Sequence, residues 1–149
     1  AGLTSSYSII SDEALRDKFH CHLANSELNL GHAFAFNSVA AAYSHGTEWL
    51  DQMLAYVQGN IDYIEQFLAT SLPQVGMIRP QASYLVFLDF RQLGLTQQEL
   101  GTLIVDKAHL ALNDGAMFGK EGTGFMRLNA ASPRSVIAEA MHRLKAAIG

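Results

Sequence analysis

Arg127 is the side chain in this sequence whose type and setting most directly suggest chemistry. It sits in Phe125-Met126-Arg127-Leu128-Asn129. Strand alternation there sends Phe125, Arg127 and Asn129 to one face, and Met126 and Leu128 to the other. A guanidinium inside a short apolar strand costs free energy unless something accepts its donors. A ligand carboxylate suits it well, because the planar fork pairs with two oxygens at once. A carboxylate side chain nearby, or water at a sheet edge, would serve too, and the residues alone leave these alternatives open.

Asp114 to Gly124 (DGAMFGKEGTG), just before that strand, is the second candidate. Gly115, Gly119, Gly122 and Gly124 permit close backbone approach or positive φ angles. The run carries neither G-x-G-x-x-G nor a Walker pattern, so by itself it reads as an ordinary strand connection. His20-Cys21-His22 imitates a metal cluster. Residues two apart on a helix point to different sides, however, unlike ligands at i and i+4. Cys21, with no base beside it, reads as a small residue for burial. Ser83 and Tyr84 offer hydroxyls, the second packed at a strand start. No Ser/His/Asp order, paired-carboxylate motif or C-x-x-C is evident.

The elements that must position these residues can be read from periodicity. Thr4 to Ile10 reads as a strand. Ser11 and Asp12 offer an N-cap to a helix reaching Asn25, with Leu15, Phe19 and Leu23 at four-residue spacing. A linker, 26–31, leads to a second helix from His32 to Ser44, broken at Gly46. Thr47 caps the longest helix, whose stripe runs Leu50, Met53, Leu54, Val57, Ile61, Ile64 and Leu68, and Pro73 stops it. Strands follow at Val75 to Arg79 and Tyr84 to Phe90. Thr96 to Glu99 has capping-box spacing for a helix to about Ala108. Short strands are expected at His109 to Asn113 and Phe125 to Asn129. Ser132 as N-cap, with Pro133 in the first helical position, opens a terminal helix. The pattern predicts an α/β class, with an α+β-like arrangement of helices on one face of a small sheet.

At 149 residues the chain fits one domain of ordinary size. Charged residues make up 16%, low against roughly 25% in a typical soluble domain. Either some surface is covered, or an alanine-rich composition thins the charge. A net charge of -4 without a basic cluster argues against nucleic-acid binding. No run reaches the roughly 18 apolar residues of a membrane span. One cysteine excludes an internal disulfide framework and fits a reducing cytoplasm. The opening on Ala1-Gly2-Leu3, without methionine, reads as a fragment of something longer. Residues 1–45 carry one expected strand and two helices with no sheet to join, whereas the sequence from about 70 onward carries a complete helix-covered sheet. The long helix bridges them.

The run Gly115-Ala116-Met117-Phe118-Gly119-Lys120-Glu121-Gly122-Thr123-Gly124-Phe125-Met126-Arg127-Leu128-Asn129, followed by Ala130-Ala131-Ser132-Pro133-Arg134, resembles the C-terminal signature of class I/II aminotransferase-like enzymes. Gln81 to Arg91, Ala40 to Tyr43 and Gly46 to Leu50 add to a similarity to the MalY/PatB cystathionine β-lyase group. The resemblance implies fold type I of the pyridoxal-phosphate enzymes, with residues 1–45 a remnant of the large cofactor domain and 46–149 the small C-terminal domain. It implies pyridoxal 5'-phosphate as cofactor, an amino-acid substrate, a homodimer, and Arg127 as the α-carboxylate ligand. The covalent cofactor lysine is expected a few residues before Ala1, leaving these 149 residues catalytically silent and with no catalytic residue of their own. C–S β-lyase and aminotransferase activity use the same arginine, so the residues present do not choose between them. A non-catalytic binding or regulatory domain that keeps the fold is the alternative.

Overall fold

The structure is a computed structural model describing residues 6–149. The chain divides into two compact units, Ala1–Asp51 and Gln52–Gly149, taken in turn.

The first unit contains α1 (Glu13–Asn25) and α2 (Ala33–His45). Asp12 caps α1, its Oδ1 accepting from the Leu15 backbone N–H at 2.7 Å. His32 caps α2 through Nδ1, which accepts from the Ala35 N–H at 3.3 Å. The expected strand from Thr4 to Ile10 is not found over Ser6 to Ile10, while Thr4 and Ser5 lie outside the described residues. A strand needs a ladder partner, and this unit offers none among its described residues. The Ile10 carbonyl instead accepts from Arg16 Nη1 at 3.1 Å. Cys21, expected to be buried, is exposed on α1, because α1 buries none of its residues. Ala35 is the one buried residue among the described residues of this unit.

The second unit holds the core. Most of α3 (Thr47–Ser71) belongs to it, with β1 (Gly76–Ile78), β2 (Leu85–Asp89), α4 (Gln97–Thr102), β3 (Asn113–Asp114), β4 (Phe125–Asn129) and α5 (Arg134–Ile148). The strands form an antiparallel sheet in the order β1-β2-β4-β3. In register, Phe87 faces Arg127, Leu88 faces Met126 and Asn113 faces Arg127. Val86, Leu88, Met126 and Leu128 therefore share one face and are buried. They join Ile61, Ile64 and Leu68 of α3, Ile137, Met141 and Leu144 of α5, and Leu100 and Ile104. The predicted layering, helices on one face of a small sheet, is what forms.

Several boundaries differ from expectation. Past α4 the chain continues as a π-helical segment, Leu103–Lys107. His109 then takes a left-handed φ of 53°, and the Leu110 N–H reaches back to the Ile104 carbonyl at 2.9 Å. Residues up to Leu110 are thus still closing a helix, and the strand expected over His109 to Asn113 shrinks to Asn113–Asp114. At α5, Pro133 rather than Ser132 occupies the cap position, with no side-chain cap bond. The orphan Arg134 N–H is satisfied by the Tyr56 hydroxyl of α3 at 2.7 Å, so a tertiary contact does what a local serine was expected to do. Thr47, expected as a cap, is instead the first residue of α3.

Asn60 joins these parts. It is fully buried (0% exposed), and its Nδ2 donates to the Ala130 and Ser132 carbonyls, both at 2.8 Å. Its Oδ1 accepts from Arg134 Nε at 2.6 Å. One amide on α3 thereby ties down the connection from β4 to α5. Truncation would leave buried acceptors without donors, which costs more than the bonds themselves contribute. Asn60→Ala is expected to lower the unfolding free energy by about 3 kcal/mol in urea titration. A change below about 0.5 kcal/mol would show that the clamp is not needed.

Candidate carboxylate-binding site on the open sheet face

The sheet face opposite the core carries Phe87 from β2 together with Phe125, Arg127 and Asn129 from β4, as alternation predicts. Arg127 is half-buried. Its Nη2 donates to Asn113 Oδ1 on β3 at 3.0 Å. The Phe118 ring lies over the guanidinium, with its centroid 4.3 Å from Cζ. Nε is buried and has no hydrogen-bond partner. No carboxylate of the described residues forms an ion pair with it. Of the alternatives open from sequence, a neighbouring acidic side chain is therefore not what holds Arg127. A neutral amide and an aromatic ring surround it, and donors remain for a ligand.

Arg91, the other guanidinium near this face, is arranged in the opposite way. Its Cζ lies 4.7 Å from the Phe125 centroid. Asp89 holds it bidentately, with Nε to Oδ1 at 2.9 Å and Nη2 to Oδ2 at 2.7 Å. The Arg91 backbone N–H also reaches Asp89 Oδ1 at 3.0 Å. That side-chain pairing, with the backbone bond and the nearby positive charge, holds the Asp89 carboxyl below the usual carboxylate range against a smaller opposing effect of burial. Arg91 is thus already neutralised, whereas Arg127 is not.

The glycine run between β3 and β4 folds as two 3-10 turns, Gly115–Phe118 and Lys120–Gly122, hinged at Gly119. Its ends are held by Gln97, the first residue of α4. The Gln97 Nε2 donates to Asp114 Oδ1 at 2.6 Å, and its Oε1 accepts from the Gly124 N–H at 2.7 Å. Gln97, Asn113 and Phe118 had no signal of their own in the sequence. Gln97 reads there only as a helix former inside a capping box, which does form around Thr96 and Glu99. Ser83 takes a left-handed φ of 70° and Tyr84 uses its backbone carbonyl to accept from the Ala130 N–H at 2.8 Å. No hydrogen bond links either hydroxyl to Arg127. His20, Cys21 and His22 lie on α1, and among the described residues no three His, Cys, Asp or Glu side chains come together as a metal site.

The Asp89–Arg91 pair gives a pH test. A carboxyl depressed on folding contributes stability that is complete above its unfolded value, about 3.9, and fades as pH falls through the folded value. The Asp89 carboxyl is expected to titrate below about pH 3.9 by NMR, and Arg91→Ala should return it toward that value. An unchanged titration in the variant would remove Arg91 as the cause.

Three relatives place the chain. It is 41% identical over 148 residues to cystathionine β-lyase PatB of Bacillus subtilis, covering 99% of this chain and 38% of that protein. It is 34% identical over 134 residues to protein MalY of Escherichia coli, covering 89% of this chain and 34% of MalY. A solved pyridoxal-phosphate-bound chain from Clostridium difficile superposes with a TM-score of 0.94 at 34% identity, over 99% of this chain and 38% of that one. No family model matches the sequence. The chain spans little more than a third of the length of the curated relatives it matches. Over that span it is a homologue of the PatB/MalY cystathionine β-lyases and the pyridoxal-phosphate aminotransferases, and it shares the fold of these fold type I enzymes.

Proposed function

We propose that this chain supplies the substrate-carboxylate side of a pyridoxal-phosphate enzyme acting on an amino acid, either a C–S β-lyase of the cystathionine type or an aminotransferase. The observation that carries this reading is Arg127, a half-buried guanidinium with an unpartnered Nε and no carboxylate beside it. A substrate α-carboxylate fits those donors in charge and in planar geometry. Similarity to PatB and MalY supplies the reaction class.

The residues present fit one side of the cofactor's reaction and not its attachment. The four lysines, Lys18, Lys107, Lys120 and Lys145, are all exposed. In this reading the covalent lysine lies in the part of the relatives' length that these 149 residues do not span. In the same reading residues 1–45 belong to the large cofactor-binding domain and 46–149 to the small domain. The exposed Phe34, Phe36 and Tyr43 support a covering surface for the first of these. A homodimer and a cytoplasmic location belong to the same proposal. No helix of the described residues is long and apolar enough to cross a membrane.

When bound, pyridoxal phosphate withdraws the electron pair left on Cα as a substituent departs. Arg127 contributes differently, by fixing the carboxylate and so deciding which Cα bond is presented for cleavage. Asn113 restrains one end of the guanidinium, and Phe118 covers one face of it. Lyase and transaminase chemistry both require that orientation, so Arg127 serves either.

Two outcomes test the reading. In a polypeptide of the relatives' length that also carries the cofactor lysine, Arg127→Ala is expected to reduce kcat/KM for L-cystathionine about a hundredfold, the equivalent of about 3 kcal/mol. Cofactor affinity should be nearly unchanged, and equal losses in both would mark Arg127 as structural. The 149-residue chain alone is expected to be silent. Pyruvate release from L-cystathionine by these 149 residues would overturn that assignment.

A further inference from the structure

The glycine run before β4 does more than connect strands. We propose that Phe118 is a positioning residue for carboxylate capture by Arg127, and that the glycine turn sets its ring over the guanidinium. The proposal rests on the reading of Arg127 as the carboxylate ligand and deepens it.

Phe118 is 47% exposed, so burial does not account for where its ring sits. The ring nevertheless lies over Arg127, 4.3 Å from Cζ to centroid, and meets Phe87 edge-on at 5.8 Å. An aromatic face attracts a flat cation through its quadrupole. It also keeps water off that face, which strengthens the hydrogen bonds made elsewhere by the same group. With Nη2 held by Asn113 at 3.0 Å and one face covered, a ligand is directed into the guanidinium plane. That is the direction of bidentate carboxylate pairing. Asn113 is neutral, so it restrains the fork without cancelling its charge. The unpartnered, buried Nε is a donor that a carboxylate arriving in that plane could satisfy.

Backbone geometry holds the ring there. Gly119, immediately after Phe118, has φ 128° and ψ 167°, a region essentially restricted to glycine. Gly115 and Gly122 pack backbone to backbone. A Cβ on Gly115 would lie 2.4 Å from the Gly122 carbonyl oxygen, and one on Gly122 would lie 2.0 Å from that of Gly115. Neither position has room for a side chain. Gln97 holds both ends of the run through Asp114 and Gly124. The turn is therefore pinned at its base and its hinge, leaving the Phe118 ring as the part presented outward.

The test follows the Arg127 Nε–Hε NMR resonance in a cofactor-loaded polypeptide of the relatives' length as L-alanine is added, with acetate in parallel and chloride at matched ionic strength as control. Phe118→Leu keeps an apolar side chain and loses the ring, while Phe118→Tyr restores it. Phe118→Leu is expected to weaken both carboxylates about five- to tenfold. Phe118→Tyr should stay within about twofold of the parent, and the thermal midpoint of either variant should move little because the ring is half exposed. Gly119→Ala, which displaces the ring without altering it, should weaken binding in the same direction. If the parent resonance ignores both carboxylates, the reading of Arg127 falls and this proposal falls with it. If the parent responds and Phe118→Leu binds equally well, the role of Phe118 alone is overturned.

Discussion

A half-buried guanidinium without a counter-carboxylate is the constraint around which the open sheet face is organised. Such a group is tolerated only where partners accept its donors and its surroundings are rigid enough to keep them in place. Arg127 meets that condition incompletely: Asn113 takes one donor, Phe118 covers one face, and Nε is left over. The contrast with Arg91 is informative, because the same residue type a short way off is held bidentately by Asp89. Two arginines near one face differ in availability because one has an aspartate two residues before it and the other has an asparagine across the sheet.

The core explains why β4 can carry a partly unsatisfied residue without losing its register. Met126 and Leu128 point inward beside Val86 and Leu88, and a one-residue slip would turn both outward and Arg127 inward. Burial of those side chains thus fixes the side on which the guanidinium emerges. Asn60 fixes the end of the strand, since its amide holds two carbonyls that follow β4. The order of dependence runs from an apolar sheet face, through a buried amide on α3, to the half-buried guanidinium of Arg127.

Much of this was legible before the fold. The apolar stripe of α3 from Val57 to Leu68, the capping box at Thr96 and Glu99, and the alternation of Phe125 to Asn129 are local patterns that formed as read, although Leu50 and Leu54 at the start of that stripe are exposed. The failures were also physical. The segment from Ser6 to Ile10 has strand composition, but composition cannot supply the neighbouring strand that a ladder requires. His109 to Asn113 looked extended, yet a π-helical segment and a left-handed histidine use the first of those residues to finish a helix. Ser132 looked like a cap, and a tyrosine from a distant helix took its place.

By itself the sequence determined periodicity, the inward and outward faces of β4, and a motif whose likeness to the pyridoxal-phosphate enzymes its relatives bear out. It could not say what stands next to Arg127, because Phe87, Asn113 and Phe118 reach it through cross-strand register and a folded turn rather than through spacing along the chain. Nor could it assign Gln97 to the two ends of the glycine run. Those contacts exist only after the apolar face has been buried and the strands aligned, and only the tertiary structure could decide that Arg127 has no acidic neighbour among the described residues.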